Sequence, residues 1–293
     1  MQEYIAEEWL PSQSGLGESP LYRSSDDTFF FVDIKNRLIH TVPLAQGWSG
    51  KHTVQLNEPV TRLEVVEGRT DVLAAQTKLG FALLDPTKGT LDWIADVCHQ
   101  EDATIDGKVR MNDGAIDAGG RWWAGTMALD EESSLGRLWC LRNDNAHDAS
   151  AGDRAAVLNG PVWSPDNKTM YVCDTPQGKI YRHDYDLESG EATNKQLFAH
   201  LEGGGMPDGV AVDVEGHVWV AANSQGKLIR LSPEGAVTAT CIVPEGRMCS
   251  CPVFGGRDMK TVFITSIRDE ASTGNVYRIR VNVAGIPRHA YRS

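Results

Sequence analysis

The segment Gly160-Pro161-Val162-Trp163-Ser164-Pro165-Asp166 begins a unit that decides how the rest of the chain is interpreted. Its short apolar strand is followed by a turn, an aromatic-rich strand, a polar loop and the strand Ile180-Tyr181-Arg182. The same order recurs from Gly209-Val210-Ala211-Val212-Asp213 to Leu228-Ile229-Arg230. Short runs of alternating polarity between turn residues predict β-strands, so we expect an all-β protein.

Weaker copies of this unit divide the remainder of the chain. The six copies begin near Pro20, Arg62, Gly114, Gly160, Gly209 and Pro252, with spacings of 42 to 52 residues. This spacing is the length of one four-stranded propeller blade. We therefore expect one six-bladed β-propeller domain over residues 1–293, with a central channel. The first twelve residues, which include Trp9 and Leu10, are expected to supply the outer strand that closes the last blade.

Composition excludes several classes of protein. The chain has 293 residues, a formal net charge of −12, 41% hydrophobic and 23% charged residues. Such an acidic chain argues against nucleic-acid binding. The sequence contains no run of about 18 apolar residues, so we expect no membrane span. The amino terminus does not resemble a secretory signal, so we expect a cytoplasmic protein whose six cysteines are reduced and packed as small hydrophobes.

Polar residues that the repeat itself does not require occur near the start of four units. These are Glu18, the pair Asn112-Asp113, Asn159 and Asp208, and each precedes a small residue or proline and an apolar strand. Asn-Gly and Asp-Gly are also common turn dipeptides, so a turn is the simpler interpretation of any one of them. However, the four units carry these residues at the same position of the repeat. Because the first strands of propeller blades face the channel, this common position favours a shared site.

Carboxylate and amide oxygens without histidine or cysteine suit a hard divalent cation. Ca²⁺ is favoured over Zn²⁺ on this basis, with Mn²⁺, Mg²⁺ and Fe²⁺ as alternatives. Three or four protein oxygens would leave coordination positions for water and substrate. The sequence therefore predicts one central metal site.

At the level of motifs, the chain resembles the senescence marker protein, gluconolactonase and regucalcin family. The family motifs are Gly-Glu-[Ser/Gly]-Pro, Arg-x-Asn-Asp-Gly with Gly-Thr-Met, Asn-Gly-x-x-Trp-Ser-Pro-Asp, Pro-Asp-Gly-x-x-x-Asp-x-x-Gly and Phe-Gly-Gly-x-Asp. They match, in order, Gly17 to Pro20, Arg110 to Gly114 with Gly125 to Met127, Asn159 to Asp166, Pro207 to Gly216, and Phe254 to Asp258.

The resemblance implies a six-bladed propeller that binds one divalent metal and hydrolyses sugar lactones. It implies that Glu18, Asn159 and Asp208 bind the metal and that Arg110 and Asn112 bind the substrate. Asp130 stands where animal members have an acidic residue that contacts the substrate. Its context, Ala128-Leu129-Asp130, departs from the Ala-Glu-Glu of those members.

Asp208 is the candidate catalytic residue, because a carboxylate beside a metal can take a proton from water. A role as a ligand alone is the other interpretation. The leading hypothesis is a metal-dependent, gluconolactonase-like hydrolase of aldonolactones, a monomer whose partner is its small-molecule substrate. The alternatives are a non-catalytic calcium-binding regulatory protein of the regucalcin type, a promiscuous metal-dependent esterase, and a propeller that binds protein partners at its rim.

Overall fold

The computed structural model describes residues 2–100 and 107–292 of the chain. These residues belong to two compact units, which comprise Met1–Pro59 with Leu201–Pro287, and Val60–His200 with Arg288–Ser293. Within the described residues, no helix has the length and apolar character needed to cross a membrane. That residues 1–293 form a single domain stays a prediction.

The described part of the chain is almost entirely β-structure. The first strands are β1 (Gln2–Ile5), β2 (Glu7–Leu10), β3 (Gly17–Arg23), β4 (Thr28–Asp33), β5 (Leu38–Pro43), β6 (His52–Gln55), β7 (Val60–Val66), β8 (Arg69–Thr77), β9 (Gly80–Leu84) and β10 (Leu91–Asp96). They are followed by β11 (Val109–Ile116), β12 (Trp122–Ala128), β13 (Leu138–Arg142), β14 (Asn145–Asp148), β15 (Leu158–Trp163), β16 (Thr169–Asp174), β17 (Lys179–Asp186) and β18 (Glu191–His200). The last are β19 (Met206–Val212), β20 (Val218–Asn223), β21 (Lys227–Leu231), β22 (Val237–Ile242), β23 (Cys249–Gly255), β24 (Thr261–Ser266), β25 (Arg268–Asp269), β26 (Ser272–Thr273) and β27 (Val276–Arg280). Two short 3₁₀ helices are Gly47–Gly50 and Cys98–Gln100.

Among the described residues, each unit contains three blade sheets, five of the six with four strands and one with five, and we number the blades in the order of their first strands. Blades 2, 3 and 4 consist of β7–β10, β11–β14 and β15–β18 and lie in one unit. Blade 1 (β3–β6), blade 5 (β19–β22 with β1) and blade 6 (β23, β24, β27 and β2) lie in the other. Strands β25 and β26 form a separate hairpin.

The six sequence repeats correspond to the six blades. Each predicted starting position lies inside the first strand of a blade, namely β3, β7, β11, β15, β19 or β23. Consecutive strands of a blade pair in antiparallel register, as in a meander. The fold class is therefore all-β, a six-bladed β-propeller, as predicted.

The amino-terminal segment completes blade 6, as the sequence predicts. Strand β2 pairs antiparallel with β27, with Glu7 opposite Arg278 and Leu10 opposite Val276. Leu10 is fully buried with Phe29 and Phe263, and this burial holds the closing strand in place. The pairing of β1 was not predicted: it runs parallel to β22 and adds a fifth strand to blade 5.

The cores of the blades are built from the aromatic and β-branched residues that favour strands. In β4 both faces are buried, and Phe29 and Phe31 pack in one cluster with Val253. All six cysteines are free and buried, as expected for reduced thiols that pack as small hydrophobes.

His40 lies in the core of blade 1 and makes the stability of this blade depend on pH. Its ring stacks on Phe31, with centroids 4.5 Å apart, and its Nδ1 is hydrogen-bonded to Oγ1 of Thr53 at 2.9 Å. Burial lowers the pKa of His40 to about 4 from its usual 6.5. Between these values the unfolded chain binds a proton that the folded chain does not, so stability falls as the pH is lowered through this window.

We expect His40 to reduce the free energy of unfolding by about 2 kcal/mol between pH 7 and pH 5. The measurement is urea denaturation of the wild type and of His40→Gln at both pH values. Carboxylates contribute equally to both proteins, so the difference between the two pH dependences isolates the histidine. An identical loss of stability in the variant would contradict this assignment.

Candidate active site

The first strand of every blade contains a β-bulge near its start. In blade 4, for example, Asn159 pairs with Cys173 but the next paired residue is Val162, opposite Tyr171, so the first strand has one extra residue. The other five first strands show the same irregularity. Bulges redirect side chains and are common beside active sites. The common position recognised in the sequence is therefore that of a bulge.

Four of the six predicted site residues lie within one position of each other relative to this bulge, whereas Arg110 lies two positions before Asn112 and Asp130 lies outside the first strand. Glu18 and Asn159 are the last paired residues before it, while Asn112 and Asp208 lie inside it.

Two further residues lie in the equivalent bulges and were not recognised in the sequence. Thr61 of blade 2 and Ser250 of blade 6 carry hydroxyls where the other blades carry carboxylates or amides. Thr61 exchanges hydrogen bonds with Gln76, and Ser250 donates to the carbonyl oxygen of Gly17 at 2.6 Å. Both positions could have been found from their place in the repeat alone. In the structure, their hydroxyls form hydrogen bonds that support the first strands.

Three of the predicted residues form a hydrogen-bonded series in the unit that contains blades 3 and 4. Arg110 donates from Nη1 to Oδ1 of Asn112 at 3.1 Å. Asn112 donates from Nδ2 to Oδ1 of Asn159 at 3.1 Å and to the carbonyl oxygen of Leu158 at 2.9 Å. Asn159, which is 5% exposed, donates in turn to Oγ1 of Thr175 at 2.8 Å. This series fixes the amide of Asn159 so that its oxygen, not its nitrogen, faces Asn112.

Asp174, the last residue of β16, and Thr175, which follows it, have different surroundings. The hydroxyl of Thr175 holds Asn159. Asp174 instead lines a cleft with Leu138 and Tyr181, and burial raises its pKa.

Asp208 lies in the other unit, where its partner is a residue that sequence reasoning missed. Asn223, the last residue of β20, donates from Nδ2 to Oδ2 of Asp208 at 2.9 Å. Both residues are buried, at 9% and 5% exposure. The Oδ1 atom of Asn223 is buried without a hydrogen-bond partner among the described residues. A buried acceptor with no donor is costly, and it is satisfied when a cation or a donor is supplied.

Glu18 also lies in this unit, at the bulge of β3. Its Oε2 accepts a hydrogen bond from the backbone nitrogen of Ser19 at 3.1 Å. Ser19 has φ of 49°, a left-handed conformation that accompanies the bulge. The side chain of Glu18 is partly exposed, so its carboxylate can reach a solvent-accessible ligand.

Asp130 differs from the other candidates because its hydrogen bonds lie within its own turn. It is exposed, and its carboxylate accepts hydrogen bonds from the backbone nitrogens of Glu132 and Ser133 and from Oγ of Ser133. The hydroxyl of Ser133 and these backbone donors lower the pKa of Asp130 to about 2. The residue is thus an ionised acceptor, and contact with a substrate stays a prediction.

The residues fit a hard divalent cation by the chemistry of their donors. Glu18, Asn159 and Asp208 would each bind a cation through oxygen. Asn223, whose Nδ2 donates to Asp208, has an Oδ1 atom without a hydrogen-bond partner among the described residues. Oxygen ligands of this kind suit Ca²⁺ and Mg²⁺, whereas Zn²⁺ prefers nitrogen and sulfur ligands.

A second group of possible metal ligands lies at the end of β19. Asp213, Glu215 and His217 have ligand atoms within 4.8 Å of one another. However, Arg230 forms ion pairs with Asp213 at 2.8 Å and with Glu215 at 2.7 Å. Asp213 also accepts a hydrogen bond from Nε1 of Trp219. The guanidinium already pairs with both carboxylates, and the group holds the turn between β19 and β20.

Comparisons with known proteins show the family to which the chain belongs. The SMP-30/gluconolactonase/LRE-like region matches residues 16–268. Regucalcin of Bos taurus is 31% identical over 296 aligned residues, which cover 94% of each chain. A 6-deoxy-6-sulfogluconolactonase of Pseudomonas putida is 34% identical over 285 residues, or 93% of each chain. The crystal structure of a calcium-binding protein, regucalcin, from Agrobacterium tumefaciens has a TM-score of 0.90 over 100% of both chains at 24% identity. The chain therefore belongs to the SMP-30/gluconolactonase/LRE-like family.

Proposed function

We propose that the protein is a lactonase that hydrolyses a sugar lactone to the aldonic acid and depends on one divalent cation. The observation that carries the proposal is the set of side-chain oxygen atoms, suited to bind a cation, at the bulges of the first strands. In this set Asn112 and Asn159 are hydrogen-bonded to each other, and Asp208 accepts a hydrogen bond from Asn223, whose Oδ1 has no partner among the described residues. The sulfogluconolactonase relative supports a lactone as the class of substrate.

Glu18, Asn159 and Asp208 are the proposed ligands of the cation. Ca²⁺ is favoured because all three offer oxygen, and Mn²⁺, Mg²⁺, Fe²⁺ and Zn²⁺ are the alternatives to be compared. When bound, a divalent cation supplies Lewis-acid polarisation of an ester carbonyl.

The side chains of the protein supply proton transfer and orientation. Asp208 accepts a proton from water as the oxygen of that water forms its bond to the carbonyl carbon. The carbon–oxygen bond of the ring then breaks, and the proton passes to the ring oxygen, which leaves as a hydroxyl. Arg110 is the proposed donor to a substrate oxygen. Both N–H groups of the Asn112 amide are already donated to Leu158 and Asn159, so Asn112 would bind the substrate through Oδ1, which can accept from a hydroxyl. The ionised Asp130 is a second proposed acceptor for a hydroxyl.

The test is acid release from a panel of five- and six-membered aldonolactones. The protein is stripped with chelator and assayed with and without each of the five cations, together with the variants Asn112→Ala and Asn145→Ala. We expect turnover to depend on added metal and Asn112→Ala to lower kcat/KM by about 10- to 100-fold, the effect of losing 1–3 kcal/mol of hydrogen bonding. Asn145 is exposed on β14, so its replacement is the matched control.

Failure to open any lactone faster than its spontaneous rate would contradict the lactonase proposal. If Ca²⁺ still binds in that case, the second candidate applies, a non-catalytic calcium-binding protein. The similarity to regucalcin of Bos taurus favours this candidate among the alternatives. An aryl acetate assayed beside the lactones tests the promiscuous esterase, which would open both kinds of ester at comparable rates.

A further inference from the structure

Asp113 is the residue next to Asn112 in the bulge of β11, and the proposed reaction does not use it. It is 7% exposed, and its carboxylate has three hydrogen bonds. Oδ1 accepts from the backbone nitrogen of Gly114 at 2.8 Å and from Nη1 of Arg62 at 2.9 Å. Oδ2 accepts from the backbone nitrogen of Gly160 at 2.8 Å. One carboxylate thus joins the first strands of blades 2, 3 and 4.

The charge of Asp113 is balanced locally. Arg62 is almost fully buried and also donates to Oε1 of Glu64 at 2.9 Å, which accepts from Arg288 at 3.0 Å. Two guanidinium groups therefore face two carboxylates. Arg62 cannot turn away from Asp113 without leaving this network, so the carboxylate is held on both sides.

Asp113 and Asn112 together join β11 to β15 by adjacent contacts. Asn112 donates to Leu158 and to Asn159, and Asp113 accepts from Gly160. These three contacts fall on three consecutive residues of β15. The amide of Asn159 is therefore flanked on both sides by backbone atoms that β11 holds.

We propose that Asp113 is a positioning residue that fixes Asn159 and Asn112 relative to each other. This inference rests on the proposed function, in which Asn159 binds the cation and Asn112 binds the substrate. Without an acceptor for its N–H, Gly160 would have a buried, unpartnered donor, and the backbone beside Asn159 would shift to satisfy it. Loss of a group that orients a metal ligand typically weakens metal binding 10- to 100-fold.

Asp117 provides a matched control for this proposal. It follows the same strand, is 1% exposed, and is also paired with an arginine, Arg121, at 2.6 Å. It accepts hydrogen bonds from Tyr185 and Trp123 instead of from β15. Asp117→Asn therefore removes a similar buried charge without touching the contacts of Asn159.

The experiment compares Asp113→Asn with Asp117→Asn in the full chain. Ca²⁺ affinity is measured by calorimetry, hydrogen exchange is followed in the peptide that covers residues 158–161, and kcat and KM are measured on the best lactone. We expect Asp113→Asn to raise the Kd for Ca²⁺ by about 10- to 100-fold and to speed exchange at Gly160. Asp117→Asn should leave both unchanged. Asp113→Ser, which keeps one small acceptor oxygen, is used if Asp113→Asn does not fold.

Two outcomes would overturn the proposal. One is wild-type Ca²⁺ affinity and exchange in Asp113→Asn, and the other is an equal loss of affinity in Asp117→Asn, which would reflect general destabilisation. If the wild type binds no Ca²⁺ and opens no lactone, the proposed function fails and hydrogen exchange alone decides. Faster exchange at Gly160 in Asp113→Asn but not in Asp117→Asn would still support the positioning role, and unchanged exchange would overturn it.

Discussion

Asp208→Asn is expected to lower kcat for lactone hydrolysis by about 10³-fold, within the range that a general base contributes. The substitution keeps the shape of the side chain and an oxygen that can bind a cation. It removes the ability to accept a proton. Asn223 remains nearby, and the buried position of Asp208 makes replacement of its carboxylate by bulk water unfavourable.

This variant separates the two roles considered for Asp208. Calorimetry with Ca²⁺ and steady-state kinetics are measured on the same protein preparation. Retained Ca²⁺ binding with lost turnover would support proton transfer by Asp208. If turnover stays within tenfold of the wild type, Asp208 acts as a ligand only.

Asp213→Asn is the control for Asp208→Asn. Asp213 is a fully buried aspartate near the end of the same first strand, and it is paired with Arg230. Its replacement is expected to lower stability but to leave kcat of the folded protein unchanged. A comparable loss of kcat in both variants would point to disruption of blade 5 instead of lost chemistry.

Asn159→Ala is expected to weaken the binding of the activating cation by at least about 100-fold, since removal of a group that only supports a ligand already costs 10- to 100-fold. The side chain is buried, and its oxygen and nitrogen are held by Asn112 and Thr175. Calorimetry and the metal concentration needed for half-maximal turnover measure the effect.

The cation affinity of Asn159→Asp is compared with that of Asn159→Ala. The Asp variant keeps the oxygen that accepts from Asn112, and the hydroxyl of Thr175 can rotate to donate to the new carboxylate. We expect cation affinity to be retained or increased in Asn159→Asp, because a carboxylate adds charge to the same donor position. Equal loss of affinity in the Ala and Asp variants would contradict a ligand role for Asn159. The exposed Asn145→Ala serves as the control here as well.

The number of blades and the position at which each begins follow from the amino-acid sequence alone. Strand periodicity and turn chemistry are local properties that recur every 42 to 52 residues along the chain, so all six first strands could be located. The sequence also indicated closure by β2, because Trp9 and Leu10 are apolar residues that precede the first unit. The candidate residues Glu18, Asn112, Asn159 and Asp208 were found by their common position in the repeat.

The contacts between side chains, in contrast, could be identified only in the folded chain. Asn112 and Asn159 are 47 positions apart, as are Asp113 and Gly160, and nothing in the spacing of a repeat specifies a hydrogen bond across blades. Asn223 was missed for the same reason, since its contact with Asp208 depends on the register of β19 and β20. Periodicity places residues along a strand, whereas bulge geometry and packing between strands set the direction and partner of each polar group.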